Sequence, residues 1–200
     1  MNSKNICMYG SSSNALDEAY YQAARNLGRI FAKAGYGLVF GGGQAGLMGA
    51  ASQGAKSVGG RVVGVIPEAL NAAGLASEIC DELIVTQTMR ERKAVMEERS
   101  VGFVALPGGY GTLEELLEII TLKQLEYHNK PIVIFNTNGF YDLLIEMFLN
   151  LERQRFAHPE TREVFFVSDD ADEVLRYIET YKPGSVARKW VTVAEESFEP

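Results

Sequence analysis

Residues 37–49 read GLVFGGGQAGLMG and residues 101–115 read VGFVALPGGYGTLEE. Each stretch is a short apolar run, then a cluster of glycines, then the start of a helical pattern. Continuous apolar runs of this kind suit strands buried on both faces of a parallel sheet. Further candidate strands lie at 5–9, 61–66, 82–86, 131–135 and 163–167. Amphipathic stretches alternate with them. The first places Leu16, Tyr20, Ala23, Leu27, Ile30 and Ala34 at spacings of three and four, which is the period of one helix face. Others cover 46–58, 89–99, 112–127, 140–154 and 170–181. Strand alternating with helix predicts an α/β fold: a doubly wound, mostly parallel sheet of about seven strands with helices on both faces. Internal repeats and Pro/Ser-rich breaks are absent from the sequence. Residues 1–182 are therefore expected to form a single α/β domain, and 183–200 a C-terminal tail that frays.

Twenty of the 200 residues are glycine, above the usual share of roughly 7%. The excess is local, with eleven between Gly35 and Gly64 and four between Gly102 and Gly111. In an otherwise ordinary globular composition these mark positions where the backbone turns with positive φ or approaches something closely. A net charge of −7 disfavours nucleic acid and anionic membranes as partners. Cys7 and Cys80 are too few for a disulfide framework, and with His128 and His158 they show no metal-ligand spacing. Residues 34–55 carry no charge, but eight of them are glycine, which breaks any membrane-helix reading. The N-terminus lacks the apolar core of a signal peptide. A cytoplasmic protein without a metal is the expectation.

In doubly wound sheets ligands sit at the carboxyl ends of the strands, and the glycines cluster there. Gly10-Ser-Ser-Ser13 follows the first strand, 41–49 the second and 107–112 the fifth. Two of these loops lead into helices, whose unpaired N–H groups and dipole favour an anion. Gly41-x-Gly43-x-x-Gly46 also satisfies a dinucleotide fingerprint, with Glu68 downstream. It follows the second strand rather than the first, which counts against that reading. The rival explanation is that the glycines only pack helix against strand.

In PGGYGTLEE, Thr112 and Glu115 have capping-box spacing, so Thr112 is expected to cap the helix with Glu115 folding back. Glu114 and Glu115 would repel a phosphate bound at the same place. A carboxylate facing a sugar resolves the conflict, because a sugar offers hydroxyl donors and its anomeric carbon turns positive when its bond breaks. The run Met89-Arg-Glu-Arg92-Lys93 reads either as a solvated helix face or as a basic contribution to the same pocket. No G-x-S-x-G elbow and no Walker lysine is present. His128 and His158 are expected to be surface or capping residues. Tyr20, Tyr21, Phe31, Phe148 and Phe156 are assigned to core or interface.

Gly41–Gly49, the run MRERKAVM beginning at Met89, and PGGYGTLEE at 107–115 together resemble the LOG family, cytokinin riboside 5′-monophosphate phosphoribohydrolases long labelled lysine decarboxylases. The resemblance spans roughly residues 4–180. It implies a Rossmann-like fold, at least a dimer, no metal or organic cofactor, and hydrolysis of the N-glycosidic bond of a nucleoside 5′-monophosphate. It assigns catalysis to Arg92 and Glu115. Substrate binding falls on Gly43, Gly46, Met89, Lys93, Gly108, Gly109, Tyr110, Gly111, Thr112, Leu113, Glu114 and Thr121. This chain departs from the family pattern at Arg90, where histidine is usual, at Val101, where an acid is usual, and at Gly74, where a glutamate is usual and Glu78 is a near substitute.

On this reading the phosphate sits on the N–H groups of Gly108–Thr112 and of the second glycine loop, Glu115 stabilises the developing positive carbon, and Arg92 either orients Glu115 or holds the ribose and phosphate. Two other function classes use the same sequence features. One is a carrier that binds a nucleotide or the molybdenum cofactor without cleaving it. The other is a lysine decarboxylase, which needs pyridoxal phosphate on a lysine, and no motif here supplies that set.

Overall fold

The computed structural model describes residues 4–157 and 163–184. The chain alternates β1 (Asn5–Tyr9), α1 (Glu18–Lys33), β2 (Gly37–Phe40), α2 (Gly46–Lys56), β3 (Val62–Pro67), α3 (Glu68–Ala72), β4 (Glu82–Thr86), α4 (Met89–Glu98), β5 (Gly102–Ala105), α5 (Tyr110–Gln124), β6 (Ile132–Phe135), α6 (Asp142–Arg153), β7 (Phe166–Ser168) and α7 (Ala171–Thr180). One seven-stranded sheet runs β4-β3-β2-β1-β5-β6-β7, and every pairing in it is parallel. The predicted fold class is the observed one.

Strand order reverses between β1 and β5. The chain winds outward from β1 to β4, returns across the sheet through α4, and winds outward again. At such a switch point the loops leaving neighbouring strands diverge and open a crevice. Successive residues of a strand point to opposite faces, and β1 divides its side chains accordingly. Ile6 and Met8 join the core formed with α1, α2 and α7, while Cys7 and Tyr9 join the core beneath α4, α5 and α6. The α1–α2 pair is the closest helix contact. A Cβ on Gly28 would lie 2.1 Å from the Ala51 carbonyl oxygen, and one on Gly54 would lie 2.0 Å from that of Arg25. These two glycines, outside the strand-end loops, let the backbones of α1 and α2 approach each other.

Element ends differ from the sequence reading by a few residues. The strand expected at 163–167 is the three-residue β7, and short α3 was not anticipated. His128 is not a surface residue. It is 8% exposed, its Nε2 lies 3.0 Å from the Ile119 carbonyl oxygen, and its Nδ1 accepts from the Lys130 N–H. It ties the end of α5 to the approach to β6, a contact between residues too far apart for periodicity to register. Phe31 is core, whereas Phe156 is 79% exposed. His158 and most of the tail at 183–200 lie outside the described residues.

Candidate active site

The crevice at the switch point has β1 and β5 as its floor, and their loops are tied together there. The Ser11 N–H donates to the Pro107 carbonyl. Above them, α4 and α5 start side by side and meet through two side chains of α4. Arg92 Nη1 donates to Glu115 Oε1 at 2.8 Å, and both side chains are more than nine-tenths buried. Arg92 Nε donates to the Val65 carbonyl at the end of β3. Its remaining nitrogen, Nη2, lies against Gly41, where a Cβ would come within 2.1 Å. Gly41, read from sequence as part of a phosphate loop, is thus the gap that admits the guanidinium. No sequence signal announces this, because the partners are 51 positions apart.

Burial holds the Glu115 carboxyl above the ordinary carboxylate range, and the neighbouring Arg92 charge pulls it back only in part. A buried ion pair is a poor source of stability, since desolvating two charges offsets their attraction. A carboxylate with a perturbed pKa in a cleft is instead a mark of a functional site. Oε2 of Glu115 has no hydrogen-bond partner among the described residues. Below the pair, burial pushes the Cys7 thiol up to about 12 and the Tyr9 phenol well above its usual value. Both therefore stay neutral and form an uncharged floor.

Local sequence explains how α4 presents Arg92. Thr88 is the N-cap, and its hydroxyl accepts from the Glu91 N–H while Glu91 Oε2 accepts from the Gln87 N–H. This is a capping box at T-x-x-E 88–91 with its return bond shifted by one residue, from the N-cap Thr88 to Gln87. The box expected at Thr112 and Glu115 does not form. Helix α5 begins at Tyr110 with Gly109 as its N-cap and no side chain capping it. Thr112 is therefore already the third helical residue, and Glu115 turns toward Arg92. A Cβ on Gly108 would meet the Thr112 hydroxyl at 2.1 Å, whereas Gly109 and Gly111 face open space. The first N–H groups of α5 are thus donors without a cap, beside an accessible backbone.

The second glycine loop behaves differently. The Gly46 N–H donates to Asn14 Oδ1 and the Leu47 N–H to the Ser11 carbonyl. These two donors are engaged by the first loop and so tie the two loops together. Gly46 has φ +65, and its Cα packs on Ser11 and Ser12, a conformation and a space that only glycine fits. Gly43 sits beside it, bridged to Ala76.

Lys93 lies on the flank of the pair. It bonds Glu114, and it bonds Glu118 at 2.8 Å. Burial works to lower its pKa, but these two carboxylates outweigh it and hold the ammonium charged. Met89 is half exposed at the start of α4, and Tyr110 is 94% exposed. Leu113 and Glu114 line an open groove of about 620 Å³ along the outer side of α5, together with Tyr110, Leu117, Glu118 and Thr121. Thr121 donates to the Leu117 carbonyl. It lies eleven residues past Tyr110, roughly 16 Å along the helix, so within one chain it is not brought together with the first turn of α5. Among the described residues no cluster of His, Cys, Asp and Glu is arranged to hold a metal ion, and no helix is long and apolar enough to cross a membrane.

Known proteins resemble this chain in sequence and in fold. Residues 48–178 match a family model described as possible lysine decarboxylase. Cytokinin riboside 5′-monophosphate phosphoribohydrolase LOG5 of Arabidopsis thaliana is 38% identical over 98% of this chain and 88% of its own. The probable phosphoribohydrolase LOGL5 of Oryza sativa subsp. japonica is 39% identical over 90% of this chain and 73% of its own. Among solved structures, the molybdenum cofactor binding protein of Rippkaea orientalis superposes with a TM-score of 0.72 at 24% identity, covering 90% of this chain and 98% of that one. At that identity the likeness is one of fold. Identity of 38–40% with the phosphoribohydrolases, over nearly the whole chain, carries more. The chain belongs to the LOG family, whose family model bears the older description of possible lysine decarboxylase.

Proposed function

We propose that this protein hydrolyses the N-glycosidic bond of a nucleoside 5′-monophosphate, releasing the free base and ribose 5-phosphate. The observation that carries the reading is the buried Arg92–Glu115 pair beside the uncapped start of α5. Kinship with phosphoribohydrolases across nearly the whole chain supports it. The phosphate rests on the first N–H groups of α5, at Tyr110–Thr112, where helix termini favour anions. Gly108, Gly109 and Gly111 let it approach the backbone. Glu115, held by Arg92 through one oxygen, presents Oε2 toward the ribose. As the C1′–N bond breaks, its electron pair leaves with the base, and the carboxylate stabilises the positive charge on C1′. Water directed by Glu115 adds to C1′ and gives up a proton, while the base nitrogen takes one.

The remote phosphate contact positions the sugar, so dephosphorylated nucleosides react poorly. The protein acts as a homodimer or a higher homo-oligomer. Leu117 on α5 and Leu143 and Met147 on α6 are exposed on the same side of the sheet, and a second copy would cover them. Chromatography of AMP and of a cytokinin riboside monophosphate after incubation tests the activity. Equal turnover of AMP and adenosine contradicts the phosphate-anchored mechanism.

A further inference from the structure

We propose that Arg90 is the residue that selects a phosphorylated substrate, its guanidinium closing on the 5′-phosphate at the mouth of the site. This rests on the nucleotide-cleaving reading above. A cation that is not already neutralised adds charge-assisted bonds to a phosphate that backbone N–H groups alone would hold less tightly. Of the cations on α4, Arg92 is taken by Glu115, and Lys93 is taken by both Glu114 and Glu118. Arg90 is exposed, and no hydrogen bond, ion pair or ring engages it among the described residues.

Helix register gives its position. Because Lys93 reaches Glu114 and Glu118, its flank of α4 faces α5. Arg90 precedes Lys93 by three residues and so lies one turn nearer the helix start, toward the same flank. Both helices leave the carboxyl ends of strands in one parallel sheet and run in the same direction. One turn before Glu114 on α5 are Tyr110 and Gly111. Helical side chains lean toward their own N-terminus, which carries the Arg90 guanidinium toward the uncapped N–H groups. There Gly109 and Gly111 leave open space. Arginine grips a phosphate with two parallel N–H donors and keeps its charge at any pH of interest.

Steady-state base release from AMP by the wild type, Arg90→Gln and Arg90→His tests this, with ribose 5-phosphate as a competitive inhibitor. Arg90→Gln should raise KM at least about tenfold, the effect of one charge-assisted contact, with kcat little changed. Inhibition by ribose 5-phosphate should weaken in parallel. In Arg90→His, KM should climb as pH rises through about 6.5, while the wild type shows no such climb. Unchanged KM and inhibition in Arg90→Gln, or a loss confined to kcat, overturns the proposal. If the wild type releases no base, the enzymatic reading fails instead. Calorimetric binding of ribose 5-phosphate then still decides on Arg90: weaker binding by Arg90→Gln supports it and equal binding overturns it.

Discussion

Glu115 holds its proton to a higher pH than a free carboxyl because burial penalises the charge more than Arg92 rewards it. The active form on the proposed mechanism is the carboxylate. Activity should therefore fall as pH drops through a value above the ordinary 4.5, and the acid limb of the kcat profile reads it. Glu115→Gln should lose base release by at least about a thousandfold, since it removes the charge that faces the oxocarbenium-like carbon. It also leaves Arg92 buried and unpaired, a cost of about 3–5 kcal/mol. Replacing both partners, as Arg92→Met with Glu115→Leu, removes the buried charges together. That double variant should melt no lower than Glu115→Gln while remaining inactive, which separates lost chemistry from lost folding. Gly41→Ala should cut kcat/KM by at least about tenfold while melting nearly as the wild type does. Its methyl takes the place of Arg92 Nη2, and misplacing a positioning group by an ångström costs on the order of a hundredfold.

The α4 and α5 helices divide the work of building the site. Thr88 and Glu91 cap α4 and fix the angle at which Arg92 enters, whereas α5 is left uncapped where the ligand is proposed to sit. Thr88→Ala should destabilise the protein by about 1 kcal/mol in chemical denaturation. Thr112→Val should lose no capping bond, because Thr112 is inside the helix. The strands, the helices and the carboxyl-end placement of the glycine loops were legible in sequence, because period and glycine clustering report local backbone. The cap of α5 was misplaced by three residues. T-x-x-E is satisfied at both 88–91 and 112–115, but at the second α5 has already begun at Tyr110 and Glu115 pairs with Arg92. Gly41 and Gly46 were read as one phosphate loop. Their contacts with Arg92, Asn14 and Ser11 are made by the fold alone.

The whole molecule places this pair at the one point where the winding of the sheet reverses, and the rest of the sheet holds it there. His128 belongs to that frame. Burial lowers its pKa to about 4, with the backbone contact to Ile119 opposing. The unfolded chain takes up a proton below about 6.5, the folded one only near 4. The stability it contributes is thus complete above pH 6.5 and lost as pH falls toward 4, with about 2–3 kcal/mol of it gone by pH 4.5. Urea denaturation at pH 7 and pH 4.5 should show His128→Gln losing less than the wild type by about that amount. The exposed apolar residues on α5 and α6 predict a sedimentation mass of at least two chains, which Leu143→Glu with Met147→Glu should reduce. The most direct test of the central claim is chromatography of a nucleoside 5′-monophosphate incubated with the wild type and with Glu115→Gln. Free base and ribose 5-phosphate in equal amounts from the wild type, and neither from the variant, is the predicted result; intact nucleotide with the wild type, or equal release by the variant, would contradict the assignment of this site.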